Sequence, residues 1–234
     1  MQLSKRLSAV ASMVTEGNRL VDVGCDHGYL PLYLYLNKKI PSAIAMDVRP
    51  GPLSRARDHI AEYGLEKYIE TRLSDGLYAL SPGEGDTLTV AGMGGPLMER
   101  ILTAKEDVRE SFEELILQPQ SDIPHFRRFL RGIGWEIVEE EIVLEDGKFY
   151  PMMKAVRGKA QTISEDVPYT PEEAFGEILL KKRHPVLKLY LERELRIRNG
   201  ILEKLKDAAA DDRRKEIEEE RRLILTALEQ YEGI

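Results

Sequence analysis

A chain of 234 residues with 41 acidic and 34 basic side chains, net charge −7, has the size of one large domain or of a medium domain plus a small one. The longest stretch without a charged residue, 87–98, contains three glycines and a proline, and falls far short of the roughly 20 apolar residues that cross a bilayer. Cys25 is the single cysteine and the first dozen residues lack signal-peptide order, so a cytoplasmic protein without disulfides is expected. The acidity argues against indiscriminate polyanion binding but leaves room for a local basic face.

In chain order, a helix over 5–14 precedes a first apolar strand at 20–24. Strands follow at 43–48, 68–73, 87–91 and 114–118, each short, rich in Val, Ile, Leu or Thr, and ended near Gly, Asp or Pro. Helices over 29–37, 52–63, 96–104 and 123–133 separate them. This alternation predicts an α/β fold with a parallel sheet covered on both faces. After Gly134, extended runs at 135–144 and 148–156 flank Glu145-Asp146-Gly147, and Asp-Gly signals a tight hairpin, so an antiparallel pair should close the sheet.

The polar segment 159–171, punctuated by Pro168 and Pro171, reads as a linker. Beyond it the chain reads as helix interrupted only at Pro185. One apolar stripe runs through Leu187, Leu191, Leu195, Leu202 and Leu205, a second through Ile217, Ile224, Leu228 and Tyr231, with a turn over 208–212. The expected organisation is an α/β domain over 1–158, then a linker and a coiled-coil-like helical hairpin over 159–234.

The segment 20–31, LVDVGCDHGYLP, joins a buried strand to a helix through a glycine loop. Gly24 permits a sharp turn, Gly28 a close approach of ligand to main chain, and Pro31 sits where a first helical turn tolerates it. A dinucleotide site would want G-x-G-x-x-G here. Instead the glycines stand four apart with Asp26 between them, and a carboxylate repels phosphate but suits a cation bearing an amino group and a sulfonium. Asp47 ends the second strand, placed to accept from ribose hydroxyls. Asp75-Gly76 follows the third strand, placed to receive an adenine amino group. Three acids at consecutive strand ends point to S-adenosylmethionine.

The stretch 22–28, Asp47 and Asp75 resemble the successive cofactor motifs of class I S-adenosylmethionine-dependent methyltransferases, whose Rossmann-like seven-stranded sheet also ends in an antiparallel hairpin. More narrowly, LSKRLSAVASMV, VDVGCDHGYLP, SDGL, AGMGG and LQP resemble the bacterial TrmK-like family of tRNA methyltransferases, which modify N1 of adenine 22. The resemblance spans essentially the whole chain. It implies tRNA as partner, a helical C-terminal domain, and cofactor contacts from Asp22, Gly24, Asp26, His27, Gly28, Asp47, Val48, Asp75, Gly76, Ala91 and Gly92, with His27 acting through its main chain. Residue spacing alone stops at methyl transfer. Methylation of a small molecule or protein, and a non-catalytic cofactor-binding module, stay open as alternatives; a nicotinamide dehydrogenase is disfavoured by Asp26.

The segment 90–96, VAGMGGP, carries no acidic or amide side chain to hold an exocyclic amine. Cytosine C5 methylation needs a thiolate, and Cys25 lies in the wrong loop. A ring nitrogen needs neither. Gly92, Gly94 and Gly95 beside Met93 would let a base approach the main chain, or would pack the next helix on the sheet, and Gln118 is a second wall candidate. Asp26 is the candidate for balancing charge on the methylated base and Tyr29 for stacking on it. Arg6 falls within a family motif and is expected to meet cofactor or RNA. His59, His125 and His184 have no metal-ligand spacing, and no metal is expected. The stretch 181–198 holds seven Lys/Arg against Glu192 and Glu194, a local net of +5, and Lys181, Lys182 and Arg183 are expected to clasp the tRNA. Arg127, Arg128 and Arg131 would add a smaller cluster. A monomer, or a weak dimer through the hairpin, is expected.

Overall fold

Short runs of Val, Leu, Ile and Ala become strands here because both their faces are covered. The computed structural model describes residues 1–162, 164, 166–205 and 211–232. It divides into two compact units, Met1–Thr162 and Ile163–Ile234. The first unit runs α1 (Lys5–Met13), β1 (Leu20–Val23), α2 (Tyr29–Leu36), β2 (Ala43–Asp47), α3 (Pro50–Glu62), β3 (Ile69–Leu73) and β4 (Thr87–Met93). It continues with α4 (Gly95–Ala104), α5 (Glu106–Arg109), β5 (Glu114–Pro119), α6 (Ile123–Gly132), β6 (Trp135–Glu145) and β7 (Lys148–Arg157).

The seven strands lie in the order β3-β2-β1-β4-β5-β7-β6, all parallel except β7, which is antiparallel to both its neighbours. Side chains of β1 and β2 alternate between two cores. Val21, Val23, Ile44 and Met46 meet residues of α4 and α6 such as Met98, Leu102 and Phe126. Leu20, Ala43 and Ala45 meet Val10, Leu34 and Ile60 of α1, α2 and α3. The edge strands β3 and β6 turn residues outward. The closing hairpin turns at Asp146 and Gly147, both at positive φ, as a tight turn between twisted strands requires.

Two local departures from the expected elements have clear causes. Strand β4 runs two residues further, to Met93, past an irregularity at Gly92, whose φ of 79° bends the strand end. The four-residue α5 is too short to show periodicity, and the sequence reading missed it. The first unit also holds 159–162, expected to begin the linker: Gln161 N–H donates to Arg131 O at 3.1 Å, just after Gly158 N–H donates to Gly134 O at 2.8 Å.

A buried polar knot ties the first unit together. Glu114 accepts from Thr15 N–H and Oγ1 at 2.9 and 2.6 Å, from Thr87 Oγ1 at 2.7 Å, and pairs with Lys154 Nζ at 2.6 Å. Four segments distant in sequence thus meet at one carboxylate.

In the second unit, α7 (Pro171–Phe175) starts with a Thr170–Glu173 capping box, and α8 (Glu177–Lys181) follows at Gly176, whose φ is 99°. The helix expected to continue to Pro185 is therefore broken twice. Next, α9 (Pro185–Lys204) and α10 (Asp211–Glu232) run antiparallel, for Tyr231 Oη donates to His184 O while Arg198 pairs with Glu220. Leu187, Leu191, Ile217, Ile224 and Ala227 form the buried part of their seam. Of the turn expected over 208–212, residues 208–210 lie outside the described residues, while Asp211 and Asp212 are helical.

Candidate active site

In open α/β sheets, a crevice forms at the carboxyl ends of the strands where their order reverses. Here that point lies between β1 and β4, and a cavity of about 540 Å³ occupies it. The loop after β1 shapes one wall. Gly24, at φ 77°, and Cys25 both donate to Met46 O, at 2.8 and 2.9 Å. Asp26 is left-handed as well, at φ 49°, and its side chain reaches the cavity mouth 63% exposed. His27 and Tyr29 line the same wall.

The floor is acidic. Asp22 and Asp47 are buried, and both line the cavity with Val48, Asp75 and Gly76. Thr89 Oγ1 donates to Asp22 Oδ1 at 2.7 Å. Burial pushes the Asp22 carboxyl up to about 6; the Thr89 hydrogen bond opposes this, Asp47 adds to it and Arg6 opposes it. Asp47 accepts from Arg49 N–H at 2.8 Å, and Asp75 pairs with Arg100 at 3.3 Å. A buried carboxyl with a like charge beside it is stabilised by a cation. The donor set therefore fits S-adenosylmethionine, whose ammonium and sulfonium are positive.

The end of β4 forms the opposite wall, through Ala91, Gly92 and Met93. A Cβ on Gly92 would stand 3.4 Å from Arg6 Nη1 and 3.7 Å from Gln120 Nε2, so this glycine leaves the wall open toward both. A Cβ on Gly24 would overlap Met93 Cε, so Gly24 admits the methionine that lies over the loop.

Several expected site residues sit elsewhere. Gly28 is not in the lining: a Cβ there would stand 3.1 Å from Ala56 Cβ, so the close approach it allows is of α3. Gly94 and Gly95 pack against Ser121, with added Cβ atoms 3.0 Å from its Oγ and 2.7 Å from its carbonyl oxygen respectively, which is helix packing. Gln118 is wholly buried and turned from the cavity, accepting from Arg6 Nη1 at 3.2 Å and donating to Pro119 O at 3.1 Å. Two residues on, Gln120 lines the cavity instead. The sequence reading passed over Gln120, although LQPQ offered both glutamines. It also missed Arg49 and Arg100, single arginines without a motif.

Arg127 and Arg128 are buried, and Arg127 Nε donates to Glu140 at 2.9 Å, so neither offers charge to a phosphate. Lys181, Lys182 and Arg183 belong to the second unit, at the end of α8 and just after it. Lys181 pairs with Glu177, and Arg198 is shared between Glu194 and Glu220, so the run of positive charge is partly compensated. Among the described residues, no group of three His, Cys, Asp or Glu is placed to hold a metal ion, and no helix is long and apolar enough to cross a membrane.

A sheet in this order with an antiparallel seventh strand, and an acidic cavity at its reversal point, define a class I S-adenosylmethionine-dependent methyltransferase. Residues 3–153 match the methyltransferase domain family. The tRNA (adenine(22)-N(1))-methyltransferase of Bacillus subtilis is 35% identical over 92% of this chain and 91% of its own length. The crystal structure of the B. subtilis M1A22 tRNA methyltransferase TrmK superposes with a TM-score of 0.86 at 32% identity, covering 97% of this chain and 99% of that one. Streptococcus pneumoniae Sp1610, in complex with S-adenosyl-L-methionine, gives 0.85 at 34% identity, covering 97% and 100%. This chain belongs to the tRNA (adenine(22)-N1)-methyltransferase family.

Proposed function

We propose that this enzyme methylates N1 of adenine 22 in tRNA, in the cytoplasm. The observation that carries the chemistry is the acidic cavity at the sheet's reversal point, in whose wall the thiol of Cys25 is buried. Burial raises the Cys25 thiol far above its ordinary value, and the carboxylates of Asp22, Asp47 and Asp26 raise it further. A thiol held neutral is a poor nucleophile, which disfavours covalent addition to a pyrimidine ring at this site. A ring nitrogen with an in-plane lone pair needs no adduct. The activity named for the B. subtilis relative supports the same acceptor.

When bound, S-adenosylmethionine supplies a methyl group already activated by its sulfonium. The chain then has to hold the acceptor nitrogen in line and exclude water, which is catalysis by proximity and preorganised charge. Adenine N1 is hidden in a paired helix, so the base must be unpaired or flipped out. Tyr29, 41% exposed at the cavity wall, offers the ring on which it stacks. Gln120, beside the open face of Gly92, reads the base edge in the role expected of Gln118. Asp26, exposed at the mouth, offsets the positive charge that methylation places on the ring. The exposed Lys182, with Lys181 and Arg183, holds the tRNA body.

The test is incubation of the protein with methyl-labelled cofactor and unmodified tRNA transcript, with the product mapped by nuclease digestion and mass spectrometry. One N1-methyladenine at position 22, absent when that base is guanine, is the expected result. Methyl transfer to another atom, or none, would refute the proposal.

A further inference from the structure

Helix α3 touches the loop after β1 at two points one turn apart. Ala56 packs against Gly28, and His59 Nδ1 lies 2.9 Å from the carbonyl oxygen of His27. A carbonyl oxygen has no proton to give, so the imidazole is the donor and carries its hydrogen on Nδ1. The same ring lies near-parallel to two others: Tyr29 at 5.1 Å between centroids and 20°, His27 at 5.8 Å and 27°. His27 and Tyr29 also stack on each other, at 5.4 Å and 12°. Three aromatic rings from the loop, the start of α2 and α3 thus form one cluster. His59 is the member that reaches both the loop's main chain and the Tyr29 ring.

His27 and Tyr29 line the cavity, and His59 does not. We propose that His59 is a positioning residue for methyl transfer: its Nδ1–H fixes the His27 carbonyl while its ring packs beside Tyr29, so the wall that receives the acceptor base is held rigid chiefly through the hydrogen bond. The inference rests on the assignment of Tyr29 to the base above. The loop holds left-handed residues at Gly24, Asp26 and Gly28, and the hydrogen bond from the adjacent helix pins its main chain between them.

Two substitutions separate the parts of this role. His59→Phe keeps the ring and removes the donor; His59→Asn keeps a donor at the position of Nδ1 and removes the ring. With the full-length enzyme, the expected result for His59→Phe is kcat on tRNA lower by about tenfold, the scale of a small misplacement at a reacting centre. KM for tRNA and the melting temperature should stay near wild type. His59→Asn should recover most of the lost kcat. Wild-type kcat in His59→Phe would overturn the proposal, as would His59→Asn performing no better than His59→Phe. The imidazole nitrogen-15 spectrum of the free enzyme reads the hydrogen bond without RNA: the Nδ1–H tautomer is expected, and an Nε2–H tautomer would also overturn it. If the wild type methylates a different acceptor, the adenine-22 assignment fails while the variants and the spectrum still judge His59.

Discussion

The guanidinium of Arg6 donates to the carboxamide oxygen of Gln118 at 3.2 Å, joining the first helix to the end of the fifth strand across 112 residues of chain. Its Cζ also lies 5.8 Å from the centroid of the Tyr150 ring, while Glu145 accepts from the backbone N–H of both Lys5 and Arg6. Arg6 lines the cavity because these contacts aim it there. Gln118→Leu should cost about 1–3 kcal/mol of folding stability, as expected when a buried hydrogen-bonding partner is removed. The freed arginine should also lower tRNA methylation several-fold. Urea denaturation and initial rates measure the two effects, and full activity with the arginine unanchored would contradict this placement.

Asp22 predicts a pH dependence of definite sign. Its carboxyl sits at about 6 in the fold, against about 3.9 in an unfolded chain. Between these values the native state holds the extra proton, so this group's contribution is full below the unfolded value and is lost as pH rises through about 6, by about 3 kcal/mol. A cationic cofactor over Asp22 should draw the value back down. Binding should then release a proton near the upper end of this range, and affinity should weaken as pH falls through about 6. Calorimetry in buffers of different ionisation enthalpy detects that proton, and Asp22→Asn should abolish it.

Glu114 works in the opposite direction. Burial alone would raise its carboxyl, but Lys154, Thr15 and Thr87 overcome this and hold it below the ordinary value. Its stabilisation is therefore present above the unfolded value and lost as pH falls through the lower native one. Glu114→Ala leaves the Lys154 ammonium with only neutral partners, Met13 O and Thr15 Oγ1, and should cost about 3–5 kcal/mol, the scale for breaking a buried ion pair. Chemical denaturation at neutral pH checks the magnitude, and a cost below 1 kcal/mol would count against the knot.

Gly95→Ala would push a methyl group to 2.7 Å from the Ser121 carbonyl oxygen, at the start of α4. Backbone must shift, and a loss of about 1–3 kcal/mol is expected, as for overpacking a core. Gly132→Ala, at the last residue of α6 with nothing within 4 Å, should be neutral or gain up to about 1 kcal/mol. Thermal melts of the two variants should move in opposite directions or differ clearly in size.

Replacing Lys181, Lys182 and Arg183 by uncharged residues should weaken tRNA binding and flatten its dependence on salt by up to about three phosphate contacts. Cofactor affinity should not change. Binding isotherms at several salt concentrations provide the measurement; an unaltered slope would remove these residues from the RNA surface.

Much of the first unit could be read directly from the chain. Apolar strands alternating with amphipathic helices, the Asp146-Gly147 turn and the acids at the ends of the first three strands are local patterns, and local geometry obeys local rules. The two glutamines of LQPQ follow a different logic. Whether Gln118 or Gln120 faces the cavity depends on where β5 ends and on the arginine that α1 brings across the sheet.

The sequence by itself determined the alternation of elements, the hairpin, and the acidic loop at the first strand end, because periodicity and turn chemistry act within a few residues. Only the tertiary structure decided which glycines open onto the cavity and which pack a helix, that Arg127 turns inward to Glu140, and that His59 reaches the His27 carbonyl from 32 residues away. Each of these depends on what stands opposite in space, and close packing rather than sequence spacing sets that neighbour.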